Sequence, residues 1–373
     1  MAGTLEQLFT DKAAYKTVLF IYGVHQAVVF LVVYLSHTIF AFPGAPRTFY
    51  GVVANNMAHW DGRWYLYIAE TGYDVKSAAF FPLYPAMIRL LKGLAVDPLI
   101  GGLLISNLSL FVICFMFYRL VSLDYDEQVS TRALWYLVLF PTSFYFSVLY
   151  SESLFLALVL LAFYAARTKR WFWAGVFGMT AGLTRNLGAL LLIPLVYEYL
   201  ADIKFQLRQV KPDILWLGLV PVGPAVFMAY LWRVLGNPLA FLDAQKFWHR
   251  TFAFPWQSFY RACDNVVKGV QPGRNFLDLI FTVIVVLLII LAVRKTRFSY
   301  LLYMLIGAAL PLTSSAPHAG LYSMPRLILV LFPMYIVMAD RVKNRTLISF
   351  IYVLFTGTLI YFSVIFSYSC WVA

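Results

Sequence analysis

The chain has 373 residues, of which 62% are hydrophobic, 18% aromatic and only 12% charged. Soluble domains carry about 25% charged residues, and apolar runs of spanning length recur here, so an ordinary soluble enzyme is excluded and an all-α polytopic membrane protein is predicted. The formal net charge of +12 does not point to nucleic acid. The basic residues fall in short clusters between apolar runs (Arg167/Lys169/Arg170, Lys204/Arg208/Lys211, Arg294/Lys295/Arg297, Arg341/Lys343/Arg345), as they do in cytoplasmic loops.

The first run, about Thr17 to Phe42, is too long for a signal-peptide core and reads as an uncleaved first span, with His25 and His37 as interior packing residues. With a cytoplasmic N-terminus it delivers an outer loop, about 41–97, whose His59–Pro85 stretch is rich in Trp and Tyr and suits the membrane–water boundary. Residues 61–71 are expected to form a short helix, with Asp61 as N-cap and Gly72 as its stop. Residues 80–95 hold two prolines and a basic tail, and are expected to lie as a helix in the outer interface.

Spans follow at about 98–121, 131–150 and 152–166. If 80–95 does not cross, the Arg167–Arg170 cluster falls inside and Glu152 falls outside, on the same side as Asp61. Residues 171–200 lie between two basic clusters, which two half-spans meeting near Thr184-Arg185-Asn186 would satisfy. A span at about 213–235 leads to a second outer loop, 237–276, where a helix over 239–250 would put Asp243, Lys246 and Arg250 on one face. Spans at about 277–293, 298–314, 325–339 and 346–366 complete roughly eleven crossings of one integral membrane domain, 1–373. Cys114, Cys263 and Cys370 show no framework spacing, although Cys263 and Cys370 are placed where they could meet outside.

Two carboxylates are candidates for chemistry. Asp61, flanked by Trp60 and Trp64, is either a helix cap or a general base that takes a proton from an acceptor hydroxyl. Glu152, in Tyr150-Ser151-Glu152-Ser153, is either a helix-start acid or a second carboxylate orienting the acceptor. The candidate substrate-binding residues are His59, Trp60, Arg63, Arg185, Asn186, Gln245, His249, Arg250, His318 and Arg326. Among them Arg185 and Arg326 abut apolar spans and suit an anionic leaving group such as a lipid phosphate, the alternative being arginines that snorkel to headgroups. The five histidines are scattered without HxxxH or DxD spacing and no Gly-rich phosphate loop is present, so no metal site and no cofactor are expected.

HWDGRWYLYIAETGY (59–73), AFFPLYP (79–85), YSESLF (150–155), TRN (184–186) and SMPR (323–326) before Phe332-Pro333 together resemble the PIG-V family, GPI mannosyltransferase II, and its short prokaryotic relatives. The closing WVA resembles the prokaryotic members. The resemblance implies a GT-C glycosyltransferase fold and an enzyme that draws mannose from polyprenyl- or dolichyl-phosphate mannose, with inversion, onto a lipid-linked or glycan acceptor. It implies Asp61 as the catalytic acid residue of the first outer loop and Glu152 as its helper. The site would face outward across a prokaryotic plasma membrane, or into the lumen in an ER membrane. The competing expectations are a transporter or flippase for a lipid-linked sugar, with charged residues in broken spans, and a scaffold in a larger membrane complex.

Overall fold

Long apolar runs have to satisfy their backbone internally, and in this chain they do so as helices. The computed structural model describes residues 12–39, 48 and 50–372, so the end of the expected first span and the start of the expected outer loop lie outside the described residues. Five helices are long and apolar enough to cross a membrane: Ala14–Ile39, Pro98–Val121, Pro212–Leu235, Pro272–Ala292 and Arg345–Ser367. The other expected crossings fold as shorter pieces.

In chain order, α1 (Lys12–Ile39) leads to α2 (Asp61–Thr71), α3 (Leu83–Gly93) and α4 (Pro98–Val121). Asp97 caps α4, its carboxylate accepting from the amides of Leu99 and Ile100, and Pro98 sits where a missing N–H is harmless. The α3 helix buries Tyr84, Pro85 and Ile88 and leaves Leu90 exposed, as is Leu94 just past its end.

The expected span at 131–150 is not one helix. α5 (Glu127–Leu139) stops because Phe140 precedes Pro141 and is held extended, and a 3₁₀ turn, Ser143–Phe146, follows. α6 (Glu152–Arg167) and α7 (Trp171–Gly182) come next, then a turn at Arg185, a 3₁₀ segment Asn186–Leu191 and α8 (Leu192–Asp202). The two halves expected to meet near Thr184-Arg185-Asn186 do meet there. Gly188 makes the turn possible, because a Cβ at this position would lie 2.3 Å from the Ala181 carbonyl.

A 3₁₀ stretch, Pro212–Leu219, continues into α9 (Val222–Leu235), which ends at Gly236 in the left-handed conformation. The helix expected over 239–250 is short. α10 (Ala240–Asp243) passes into a 3₁₀ turn, Ala244–Trp248, and His249, at φ +54, turns the chain into β1 (Thr251–Phe252). This removes Arg250 from the face shared by Asp243 and Lys246, which pair with each other at 2.8 Å.

β1 pairs antiparallel with β2 (Ser314–Ser315). Between them lie α11 (Pro255–Val267), α12 (Pro272–Ala292) and α13 (Phe298–Leu312). The expected span at 325–339 is also broken, into α14 (Met324–Leu327), a 3₁₀ turn Ile328–Val330 and α15 (Pro333–Arg341), the last starting at a proline that cannot continue a helix. α16 (Arg345–Ser367) closes the fold against α1, where His37 hydrogen-bonds Ser367 and stacks on Tyr368. His25 packs in the interior between the Val138 carbonyl and Ser147. All three cysteines are free thiols.

The charged side chains gather at two ends of the bundle. At 1.5 Å per residue, α6 puts Glu152 roughly 22 Å from Arg167. Asp61, Arg185 and Arg326 converge on Glu152, whereas Asp124, Glu198 and Arg297 converge on Arg167.

Candidate active site

The site begins with the start of α2. The cap position is Trp60, at φ +53, and Asp61 is the first helical residue, with no side-chain hydrogen bond to the helix. The N-cap role expected for Asp61 is therefore not the observed one. Its carboxylate points to α14, where Nη1 of the buried Arg326 donates to Oδ2 at 2.6 Å. Gly62 allows the approach, since a Cβ there would meet the Leu149 carbonyl at 2.9 Å. The amide of Asp61 donates to the Tyr150 hydroxyl, which ties this helix start to the YSES stretch.

Glu152 opens α6 and is 1% exposed. Arg185, from the turn between α7 and α8, reaches its Oε1 at 2.5 Å, and Arg326 lies 3.6 Å from the same oxygen. Asp61, Arg326, Glu152 and Arg185 thus form one alternating line of charge drawn from four separate segments. Arg326 also lies over the faces of Tyr145 and Tyr150. Asp61 is the exposed end of the line, with 20% of its side chain open. Its Oδ1 and the buried Oε2 of Glu152 carry no hydrogen bond among the described residues, so each carboxylate retains one accepting oxygen.

Neighbouring contacts hold this line in place. Thr142 donates to the Pro325 carbonyl, and the Met324 amide donates to Oδ1 of the buried Asp278 on α12, so α14 is fixed from both sides. The Tyr65 and Ser151 hydroxyls bond at 2.7 Å. Burial, reinforced by Glu152, pushes the pKa of the Tyr65 hydroxyl upward, so it stays protonated. Around the carboxylates stand Trp64, stacked on Phe80 and edge-on to Trp248, and Trp60, edge-on to Trp371.

Of the other residues singled out in the sequence, His59 is buried and bonds the Ser367 carbonyl and the Ser369 hydroxyl, joining α2 to the C-terminal segment. Gln245 accepts from Arg250, and His249 meets His318 edge-on at 6.3 Å between ring centres. Burial, Arg274 and His249 all lower the His318 pKa below the ordinary histidine value. Arg63 and Asn186 face outward and are not brought to the carboxylates. Arg274, Asp278, Tyr322 and Trp371 were not singled out, yet Arg250 lies 3.8 Å and Arg274 4.5 Å from the Tyr322 ring centre, and Arg274 also lies over Trp371. An arginine in the first turn of a spanning helix was the signal available for Arg274.

Beside α2 runs an apolar groove of about 340 Å³, lined by Ile68, Tyr73, Leu183, Phe227 and Tyr230, with Arg89 at its wall. Leu183 precedes Arg185 by two residues, so the groove adjoins the turn that carries a site arginine.

Residues 32–214 match the family model described as Mannosyltransferase (PIG-V). That stretch contains Asp61, Glu152 and Arg185, while Arg326 lies beyond it. No curated protein matches the chain.

Proposed function

Because the chain belongs to the PIG-V mannosyltransferase family, we propose that it is an inverting enzyme that moves mannose from polyprenyl-phosphate mannose to a hydroxyl of a lipid-linked or glycan acceptor on the extracytoplasmic side. The observation that carries the reading is the Asp61–Arg326 contact of 2.6 Å, with Glu152 on the far side of the same guanidinium. A carboxylate aimed by a buried arginine, with its second oxygen unengaged at the open end of the line, is what a general base requires.

The acceptor hydroxyl lies against Asp61 Oδ1, and its oxygen attacks the anomeric carbon from the face opposite the phosphate. The bond from that carbon to the phosphate oxygen breaks, its electron pair leaves with the polyprenyl phosphate, and Asp61 takes the hydroxyl proton. One displacement inverts the anomeric centre and needs no covalent nucleophile. Glu152 Oε2 orients a second hydroxyl of the acceptor, and guanidinium groups stabilise the charge that develops on the phosphate. The apolar groove between α2, α3 and α9 suits the isoprenoid chain.

The GT-C architecture belongs to this reading, with the shorter helices α5–α8, α13 and α15 completing further crossings beside the five long ones. The basic clusters near Arg167, Arg297 and Arg341 then face the cytoplasm and the Asp61 end faces outward.

Sealed vesicles containing the protein, offered polyprenyl-phosphate [¹⁴C]mannose with an extract of membrane acceptors, test the reading. Labelled α-mannoside and free polyprenyl phosphate are expected. Label crossing the membrane with no glycosidic product would instead identify a flippase.

A further inference from the structure

The line of carboxylates and arginines accounts for its own charges, but the wall beside it does not. Four arginines stand at this end, Arg185, Arg250, Arg274 and Arg326, against three carboxylates, Asp61, Glu152 and Asp278, which leaves one positive charge in excess. Arg185 and Arg326, which the sequence pointed to as phosphate ligands, are already held by Glu152 and Asp61. Arg250 and Arg274 are not held in this way. They crowd one ring, Tyr322, and neither makes an ion pair within 4.0 Å among the described residues.

Several of their hydrogen-bonding atoms are buried with no partner among the described residues: Nε of Arg250, Nε and Nη2 of Arg274, and the indole Nε1 of Trp371. Trp371 lies against both Arg274 and Trp60, so these donors border the residue that caps the Asp61 helix. An unpaired buried donor is costly, and two guanidiniums that share a ring repel each other unless an anion lies between them. Arg274 also sits in the first turn of α12, where the helix dipole favours negative charge.

We propose that Arg250 and Arg274, joined by Trp371 Nε1, form the seat of the lipid-borne phosphate during transfer. Tyr322 packs against both guanidiniums and holds them at one wall. The phosphate comes either from the donor, as polyprenyl phosphate, or from a phosphodiester in the acceptor lipid, since both present the same oxygens. The proposal rests on the lipid-phosphate reading of the function and assigns the phosphate to a different pair of arginines from the pair holding Asp61 and Glu152.

Binding of farnesyl phosphate, farnesol and phosphatidylinositol to the full chain in nanodiscs tests it, with Arg345→Gln as a control on an exposed arginine. Arg250→Gln and Arg274→Gln are each expected to weaken binding of the phosphate-bearing probe by about ten- to a hundredfold, the scale of one charge-assisted contact, while farnesol binding is unchanged. A loss confined to farnesyl phosphate assigns the seat to the donor, and a loss confined to phosphatidylinositol assigns it to the acceptor. Variants that bind both phosphate probes as tightly as wild type overturn the seat and leave the lipid-phosphate reading standing. A wild-type protein that does not prefer farnesyl phosphate over farnesol overturns that reading itself. Should the glutamine variants fail to accumulate, phenylglyoxal labelling of the wild-type protein decides. Farnesyl phosphate or phosphatidylinositol should shield Arg250 and Arg274 where farnesol does not, and equal labelling with all three overturns the proposal.

Discussion

The two ends of the bundle are both built around ion pairs with a buried glutamate, Glu198 at one and Glu152 at the other, and they differ in what is left over. At the Arg167 end the account closes. Arg167 donates through both terminal nitrogens to Asp124, at 2.6 and 2.7 Å, and also to the Tyr300 hydroxyl, while Glu198 accepts from Arg297 and Ser299. No side-chain atom of these residues is both buried and without a partner among the described residues. At the Asp61 end, Glu152 Oε2, Asp278 Oδ2, Arg326 Nε and the nitrogens around Tyr322 make no hydrogen bond among the described residues. A closed cluster locks helices together, whereas an open one keeps groups poised for something outside the chain, and unsatisfied groups of this kind are expected where strain or function holds them.

Removing a member from each end should separate the two roles. Arg326→Gln leaves Asp61 and Glu152 facing each other with no charge between them. We expect the loss of roughly 3–5 kcal/mol that goes with breaking a buried pair, together with loss of mannosyl transfer by the folded fraction, read by thermal unfolding and by product formation. Glu198→Gln at the other end should lower stability on a similar scale, about 3 kcal/mol, and leave turnover per folded molecule unchanged. Equal effects of the two variants on turnover would erase the distinction.

Gly62→Ala sharpens the comparison at one atom. A Cβ 2.9 Å from the Leu149 carbonyl forces α2 outward, with an expected cost of about 1–3 kcal/mol from overpacking. Transfer should fall because Asp61 moves with the helix, a shift visible as lowered kcat at saturating donor.

The smallest effect expected is one of pH. Burial lowers the His59 pKa below the ordinary value of 6.5, with Arg63 and His37 adding to the shift against a hydrogen bond to Ser367. The folded state therefore binds a proton less readily than the unfolded chain. Stability is full above about pH 6.5 and declines as the pH falls through and below that value. Unfolding scans between pH 7.5 and 5.5 should show the decline, and His59→Gln should reduce it.

Much of the Asp61 end was legible in the sequence because its residues sit in compact, unusual stretches. Asp61 and its short helix, Glu152 at a helix start and Arg185 at a break between half-spans each stand out locally. The sequence could not show that these charges pair with one another. An aspartate before a helical run looks like a cap, and only the approach of α14, 265 residues away in sequence from Asp61, draws the carboxylate elsewhere. Arg274, Tyr322 and Trp371 escaped as a group for the same reason, since they meet only through tertiary packing. Long apolar runs also hid two breaks. Pro141 stops α5, and Pro333 starts α15 afresh after the turn that follows α14, which carries Arg326, so length alone suggested continuous spans where the backbone could not continue.

The most direct test is transfer by Asp61→Asn, which keeps the shape and a hydrogen bond to Arg326 but cannot accept the hydroxyl proton. Purified wild-type and variant proteins, matched for thermal stability, would be given polyprenyl-phosphate mannose and a membrane acceptor. The account predicts that the variant still binds donor and forms product about 10²–10⁴-fold more slowly, the usual contribution of a general base. Turnover at the wild-type rate would contradict it.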